Sequence, residues 1–308
     1  MKEKGTSYSQ LRRDFFQKYK LMIVPLVQKY ESSRKLRLVF AIVLSGIFFI
    51  LGSLLVILCI LEKDFSKGIT QAIFIFYSLS WLSWHLIKKF FESSIKNKIM
   101  PFVCSCFGNM RWTDLPYLGD DKLFYRAGIV PQFTSHDYDD IFTGSYKNVN
   151  FEILEAEYEI GSGKSRQTVF KGVIIKLDMN KQFKSHTVIK PDTLINISPL
   201  PNLHHTQLED TQFNKKFDVY TNDEIEARVL ITPAFMERLK NMKVAFVSSG
   251  ISCAFYEQYL IIALKTNKDL FSICSLIKPI DDRQQYKQMY EEILSIIKLI
   301  DYFKLDKK

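Results

Sequence analysis

Charge is missing from two stretches of this chain, and that absence is its most informative feature. Leu38 to Leu61 runs for 24 residues without one Asp, Glu, Lys or Arg, and Ile69 to Ile87 runs for another 19. A membrane-spanning helix needs about 20 apolar residues at about 1.5 Å each, and both runs reach that length. Lipid leaves backbone groups no partner but one another, so such runs must be helical; unbroken apolarity excludes alternating barrel strands. The first run follows a polar leader of 37 residues, which excludes a signal peptide. Cysteine is scarce as well. Of five, Cys59 lies in the first run, Cys253 and Cys274 lie in strand-like segments, and only Cys104 and Cys106 are close together. That is no disulfide framework, as expected of a reducing compartment.

Acidic surplus is absent too, but the location of the basic surplus matters more than its size. Of the net charge of +9, Met1 to Arg37 supplies +7 and Lys88 to Arg111 supplies +4, while Glu62 to Lys67 is neutral and Trp112 to Lys308 is −2. A nucleic-acid groove needs its cations on the folded domain, so nucleic acid is not an expected partner. Lys and Arg next to spanning segments stay on the cytoplasmic side, which places both termini in the cytoplasm. Arg34, Lys35 and Arg37 before the first run, and Trp81, Trp84, Lys88 and Lys89 at the end of the second, are the expected membrane-interface anchors.

The flanks have helical periodicity. Leu11, Phe15, Tyr19, Met22, Leu26 and Tyr30 recur at three- and four-residue steps between basic residues, with an interruption expected near Pro25. Phe90 to Phe107 mixes apolar and basic residues similarly. Both suit an anionic lipid surface or the soluble domain. The expected divisions are a basic segment 1–37, a transmembrane hairpin 38–87 with spans 38–61 and 69–87, a juxtamembrane helix 88–111, and a cytoplasmic domain 112–308.

That domain reads as α+β with a mainly antiparallel sheet. Phe151 to Ile160 alternates apolar residues with Glu155, Glu157 and Glu159. Gly161 to Lys164 reads as a turn, and Thr168 to Asp178 returns as the partner strand. Further strands are expected at 183–189, 217–220, 226–231, 244–248, 251–256 and 259–265, with 190–215 a long surface connection. Thr232-Pro233 should open a short helix. Asp281 and Gln284 resemble a capping box ahead of a final helix striped by Met289, Ile293, Ile297 and Ile300.

Several stretches, among them Asp139-Asp140 with Gly144, Val169 to Gly172, His186-Thr187, Leu208 to Tyr220 and above all Glu226 to Leu239, resemble the bacterial domain-of-unknown-function family 3137. Members typically carry paired N-terminal spans. The resemblance therefore implies a bacterial inner-membrane protein with a cytoplasmic α+β domain, and it supplies no activity and no site residue.

The strings that suggest chemistry are weak. Gly161 to Ser165 (GSGKS) lacks the first P-loop glycine, since Tyr158 stands there, and a strand rather than a helix should follow; it reads as a hairpin turn, not a nucleotide site. His136, Asp137, Asp139 and Asp140 match no established metal spacing and read as turn formers. His204 and His205 are adjacent and point apart. Cys104 and Cys106 lack a second pair for zinc. Glu155, Glu157 and Glu159 read as a solvated strand face. No cofactor is expected. The resulting functional expectation is a non-enzymatic, membrane-anchored scaffold or binding module for an unidentified protein, with the bilayer and anionic headgroups as further partners. The alternatives are a hydrolase using Asp139, Asp140 and a histidine, and a lipid-sensing or lipid-handling protein.

Overall fold

A computed structural model describes residues 8–63, 66–107, 109–120, 122–192, 199–268, 270–271, 275–280 and 283–305. The chain divides into two compact units, Met1–Cys106 with Ser272–Tyr286, and Phe107–Phe271 with Lys287–Lys308. The architecture is α+β: a long N-terminal helical region, then a nine-stranded antiparallel sheet with helices.

In the first unit, α1 (Tyr8–Lys18) passes through one π-helical turn (Tyr19–Ile23) into α2 (Val24–Glu62). The interruption expected near Pro25 is this widened turn. Proline has no N–H to donate, and here it occupies the first turn of α2, where none is needed. A left-handed Lys63 ends α2, and α3 (Lys67–Ser105) returns. The juxtamembrane helix expected at 88–111 is not a separate element. It is the second half of α3, which continues through Pro101 to Ser105. Each long helix has 39 residues, about 58 Å at 1.5 Å per residue, nearly twice a hydrocarbon core of about 30 Å.

The two helices pair antiparallel. Ser80 Oγ donates to the Ser45 carbonyl at 2.8 Å, Ser53 and Tyr77 hydroxyls lie 3.2 Å apart, Arg37 stacks over Phe91, and Lys98 stacks over Tyr30. Gly52 allows this approach, because a Cβ there would meet Phe76 and Tyr77 at 3.3–3.5 Å. Among the described residues, the helix running from Tyr8 to Glu62 is long and apolar enough to cross a membrane, and it is mostly exposed. The uncharged run of α3 contains Thr70, Gln71, Ser78, Ser80, Ser83 and His85, which makes it less apolar.

The second unit is organised by the sheet, in the order β1-β2-β3-β4-β9-β8-β5-β7-β6. Its strands are β1 (Arg111–Thr113), β2 (Ser135–Tyr146), β3 (Val149–Ile160), β4 (Gln167–Asp178), β5 (Thr187–Pro191), β6 (His204–Thr206), β7 (Phe217–Thr221), β8 (Gly250–Tyr256) and β9 (Tyr259–Lys265). One cross-strand row fixes the register: Phe142, Ile153, Ile175, Ile262, Cys253 and Ile189 are successive partners, and all are fully buried. A one-residue slip would turn this whole row to the other face. The neighbouring face packs Leu154, Ile174, Ala254 and Ile261 with Phe124 of α4 (Lys122–Arg126) and with Ala127 and Val130. Gly172, at φ 153°, lies against the Leu264 carbonyl where no Cβ fits, which accounts for the glycine in the Val169–Gly172 motif.

Three expected strands need correction. Of residues 226–231, all but the last fall in a helix, α6 (Glu224–Leu230), because Asp223 caps it by accepting from the Ile225 and Glu226 amides; Glu, Ala, Arg and Leu are also good helix formers. Residues 244–248 are the end of α7 (Pro233–Ala245) and the turn after it, where Val247 takes a positive φ. The strand expected at 183–189 begins only at Thr187. The connection 190–215 contains β6 and the short α5 (Thr211–Asn214), capped by Asp210. Thr232 caps α7, as expected, with Pro233 in the first turn. The final helix is α8 (Arg283–Leu305), with Met289, Ile293, Ile297 and Ile300 buried; Asp281 of the anticipated capping box lies outside the described residues.

Candidate functional site

GSGKS lies between β3 and β4. Gly161 and Gly163 have positive φ, Gly163–Ser165 forms one 3₁₀ turn, and Ser165 donates back to the Ser162 carbonyl from both its amide and its hydroxyl. A strand follows, so no helix N-terminus faces this loop. Lys164→Ala is therefore expected to leave the melting temperature unchanged, and millimolar ATP is expected to shift neither protein; an ATP-dependent shift lost on substitution would contradict the hairpin reading.

The carboxylates of β3 are matched by cations arriving on β4 or in the turn before it. Glu157 accepts from Lys171 at 2.6 Å and from Thr168 at 3.0 Å, and Arg166 lies 3.4 Å from Glu159. The Lys171 hydrogen bond holds the Glu157 carboxyl below its ordinary pKa, and Glu157 in turn raises that of Lys171. Half-exposed pairs of this kind contribute little stability, up to about 1 kcal/mol.

The string from His136 to Asp140 is pulled apart. Successive strand residues point to opposite faces: His136 joins an aromatic group with Phe133, Tyr138 and Tyr158, while Asp137 lines a hollow of about 340 Å³. A bulge between Tyr138 and Ile141 breaks the alternation. Asp139 enters the same hollow, with Glu155, Glu157, Lys171 and Asn267. Asp140 is fully buried and accepts from Trp112 Nε1 at 2.5 Å. Among the described residues no group of three or more His, Cys, Asp or Glu could hold a metal ion.

His204 and His205 also separate. His204 lies 3.6 Å from Glu224, and His205 lies 3.4 Å from the buried Asp218. Lys190, the cross-strand partner of Asp218, has its pKa pushed down by burial. Nothing in the sequence linked Lys190 to Asp218; register alone brings them together. Cys104 and Cys106 are both buried, and burial raises the Cys106 thiol. His186 Nε2 lies 3.0 Å from the Ala127 carbonyl, and burial pushes its pKa down.

The expected membrane-interface residues behave differently from one another. Lys35, Arg37, Trp81 and Lys89 are exposed, and Trp84 and Lys88 half-buried. Trp81 lies against His85, with ring centroids 4.2 Å apart. Arg34 is the exception, with only 5% exposure. Its guanidinium grips Glu31 through two bonds, at 2.9 and 2.6 Å. It also donates to the carbonyls of Leu276 at 2.9 Å and Ile277 at 3.3 Å. Glu31 accepts the Ile280 amide at 3.3 Å, and Glu92 of α3 accepts the Leu276 amide at 3.1 Å. Three charged side chains thus hold the backbone of 276–280 against the helix pair. The Arg34 bond keeps Glu31 below its ordinary pKa. Sequence reasoning assigned Arg34 to lipid because charge density carries no information about a partner more than 200 residues away.

The second group that sequence reasoning missed is Glu292 on α8. It is fully buried and accepts from Gln288 Nε2 at 3.0 Å, while its Oε2 has no hydrogen-bond partner among the described residues. Desolvation pushes its pKa up to about 8.

The comparisons with known proteins follow this geometry. No curated protein matches the chain. Among solved structures, the crystal structure of the mycobacterial trehalose monomycolate transport factor A, TtfA, is similar at 7% identity with a TM-score of 0.34, covering 62% of this chain and 86% of that one. The family model described as "protein of unknown function (DUF3137)" matches residues 168–305. That region contains the structural residues behind most of the motifs: Gly172 against β9, Thr187 bonded to Thr221, Asn214 bonded to Leu208, and the caps Asp210, Asp223 and Thr232. From β4 to the C-terminal helix, this chain is thus similar to the DUF3137 family that its motifs resemble.

Proposed function

We propose that this protein is a membrane-anchored binding module. In this reading, α2 and α3 cross the bacterial inner membrane at 38–61 and 69–87, both termini are cytoplasmic, and the sheet unit engages a protein partner on that side. The observation that carries the reading is the exposure of the uncharged runs. Val39, Phe40, Ile42, Val43, Phe49, Ile50, Ile57 and Ile60 of α2, with Phe74 and Ile75 of α3, each expose more than half of their surface. An apolar band of this extent is not stable in water and calls for lipid. The helix pairing brings the two runs side by side, and hydroxyls within them have partners inside the pair: Ser45, Ser53, Tyr77 and Ser80 are all hydrogen-bonded, as polar groups in hydrocarbon must be. Basic residues flank the same end of both runs, which supports the cytoplasmic placement of that end.

The hydrolase alternative loses support from Asp140, whose carboxylate is bonded to Trp112 below the surface. Topology is tested by cysteine labelling of intact cells with a membrane-impermeant maleimide. Ser66→Cys, immediately before α3, is expected to label. Val244→Cys, at 76% exposure in the sheet unit, is expected to label only after lysis. Labelling of Val244→Cys from outside would reverse the orientation.

A further inference from the structure

We infer that the segment Leu276–Ile280 is a membrane-contacting strap, which places Ile277 and Lys278 in the phospholipid headgroup layer. The inference rests on the anchored reading above and adds to it a contact from the C-terminal part of the chain, a region whose sequence shows no membrane signal.

The first support is depth. Arg34 lies four residues before Leu38, and Glu92 five residues after Ile87, so the clasp is about 6–8 Å along the helix axes from the uncharged runs. A bilayer measures about 30 Å across its hydrocarbon and about 40–45 Å with its headgroups, so each polar layer is roughly 5–8 Å deep. Whatever Arg34 and Glu92 hold is therefore held at headgroup depth.

The second support is how the segment is held. The clasp holds the segment through its backbone, at the carbonyls of Leu276 and Ile277 and the amides of Leu276 and Ile280. The side chains are left to divide by position. Leu276 and Ile280 are fully buried, whereas Ile277 is 59% exposed and Lys278 is exposed. An isoleucine beside a lysine, projecting from a rigidly held backbone, suits an interface where apolar surface enters the acyl boundary and ammonium groups meet phosphates.

The third support is charge. Glu31 and Glu92 are turned inward onto Arg34 and the strap amides. Lys35, Arg37, Lys89 and Lys278 are exposed around them, with Leu36 and Phe90 also more than half exposed. The result is a rim of alternating cations and apolar side chains, complementary to an anionic lipid surface.

The test uses the full chain in liposomes of phosphatidylethanolamine and phosphatidylglycerol, with a nitroxide attached in turn at Ile277→Cys, Leu54→Cys and Val244→Cys. Collision with oxygen and with a water-soluble nickel chelate reports depth. The expected result is a deep label at 54, an aqueous label at 244, and a label at 277 of intermediate depth that becomes aqueous when Arg34→Ala is added. An aqueous label at 277 with 54 still deep would overturn the strap and leave the anchor standing. A label at 277 shielded from both reagents would also overturn it, in favour of a protein covering. An aqueous label at 54 would remove the anchor itself, and the strap with it.

Discussion

Replacing Glu292 with glutamine is expected to remove a fall in stability that the wild-type protein shows as pH rises from about 5 to 8. The carboxyl is fully buried, with Lys268 the nearby cation and Gln288 the donor to one oxygen. Burial raises its pKa from 4.5 to about 8 in the folded protein. Between these values the unfolded chain has released the proton and the folded chain has not, so the folded state binds more protons and loses stability with increasing pH. At about 1.4 kcal/mol per unit, the full interval corresponds to roughly 5 kcal/mol of stability, present in full below pH 4.5 and lost above pH 8. Glutamine has no proton to lose, but its NH₂ would occupy the position of Oε2, where no partner is described, at a cost of about 1–3 kcal/mol. Thermal melts across pH 5 to 9 should therefore cross: the variant less stable at pH 5, and more stable at pH 8. Parallel curves would show that Glu292 ionises normally in the folded protein.

Arg34→Ala is expected to cost roughly 3–5 kcal/mol, the range for removing one partner of a buried ion pair. It strips the Leu276 and Ile277 carbonyls of a donor and leaves Glu31 without its cation. Hydrogen exchange of the purified chain in nanodiscs should show faster exchange across 275–280, where the Leu276 and Ile280 amides are bonded to Glu92 and Glu31. Arg34→Lys should recover only part of the protection, since an ammonium cannot reproduce the planar fork that grips Glu31 while serving two carbonyls. Acid should act in the same direction. Because Glu31 has a depressed folded pKa, its contribution is complete above 4.5 and disappears as pH falls through the lower folded value. Unchanged exchange in Arg34→Ala would mean that the segment is held by other contacts.

Legibility in the sequence followed the range of the interactions. The hairpin of β3 and β4 was readable because alternation, glycines and the returning strand are all local. Thr232-Pro233 at the head of α7 was readable for the same reason. The helix α6 was misread because Val229, Leu230 and Ile231 look like strand, and the capping role of Asp223 was not recognised. The length of α3 was underestimated because the uncharged run ends at Ile87 and basic residues follow, whereas the helix continues past them and through Pro101. The candidate residues fared similarly. Adjacent histidines and aspartates diverge on a strand by geometry, so His136 was separated from Asp137 and His204 from His205. Asp218 facing Lys190, Asp140 under Trp112, and Arg34 on Leu276 depend on tertiary register, which a single sequence does not encode locally.

The reach of the Arg34 clasp has a consequence for how the chain is made. Its two halves are separated by 242 residues, and at about 5–20 residues per second the ribosome needs roughly 10–50 s to synthesise the second after the first. The helical pair is complete once Ser105 has been made, early in that interval, and Arg34 then waits for its carbonyls. Glu31, one turn away on the same helix, is made just before it and is already in reach. In the anchored reading proposed above, a chain lacking Glu31 would hold an uncompensated cation beside the bilayer during synthesis, so Glu31→Gln should reduce the yield of inserted protein more than it destabilises protein already folded.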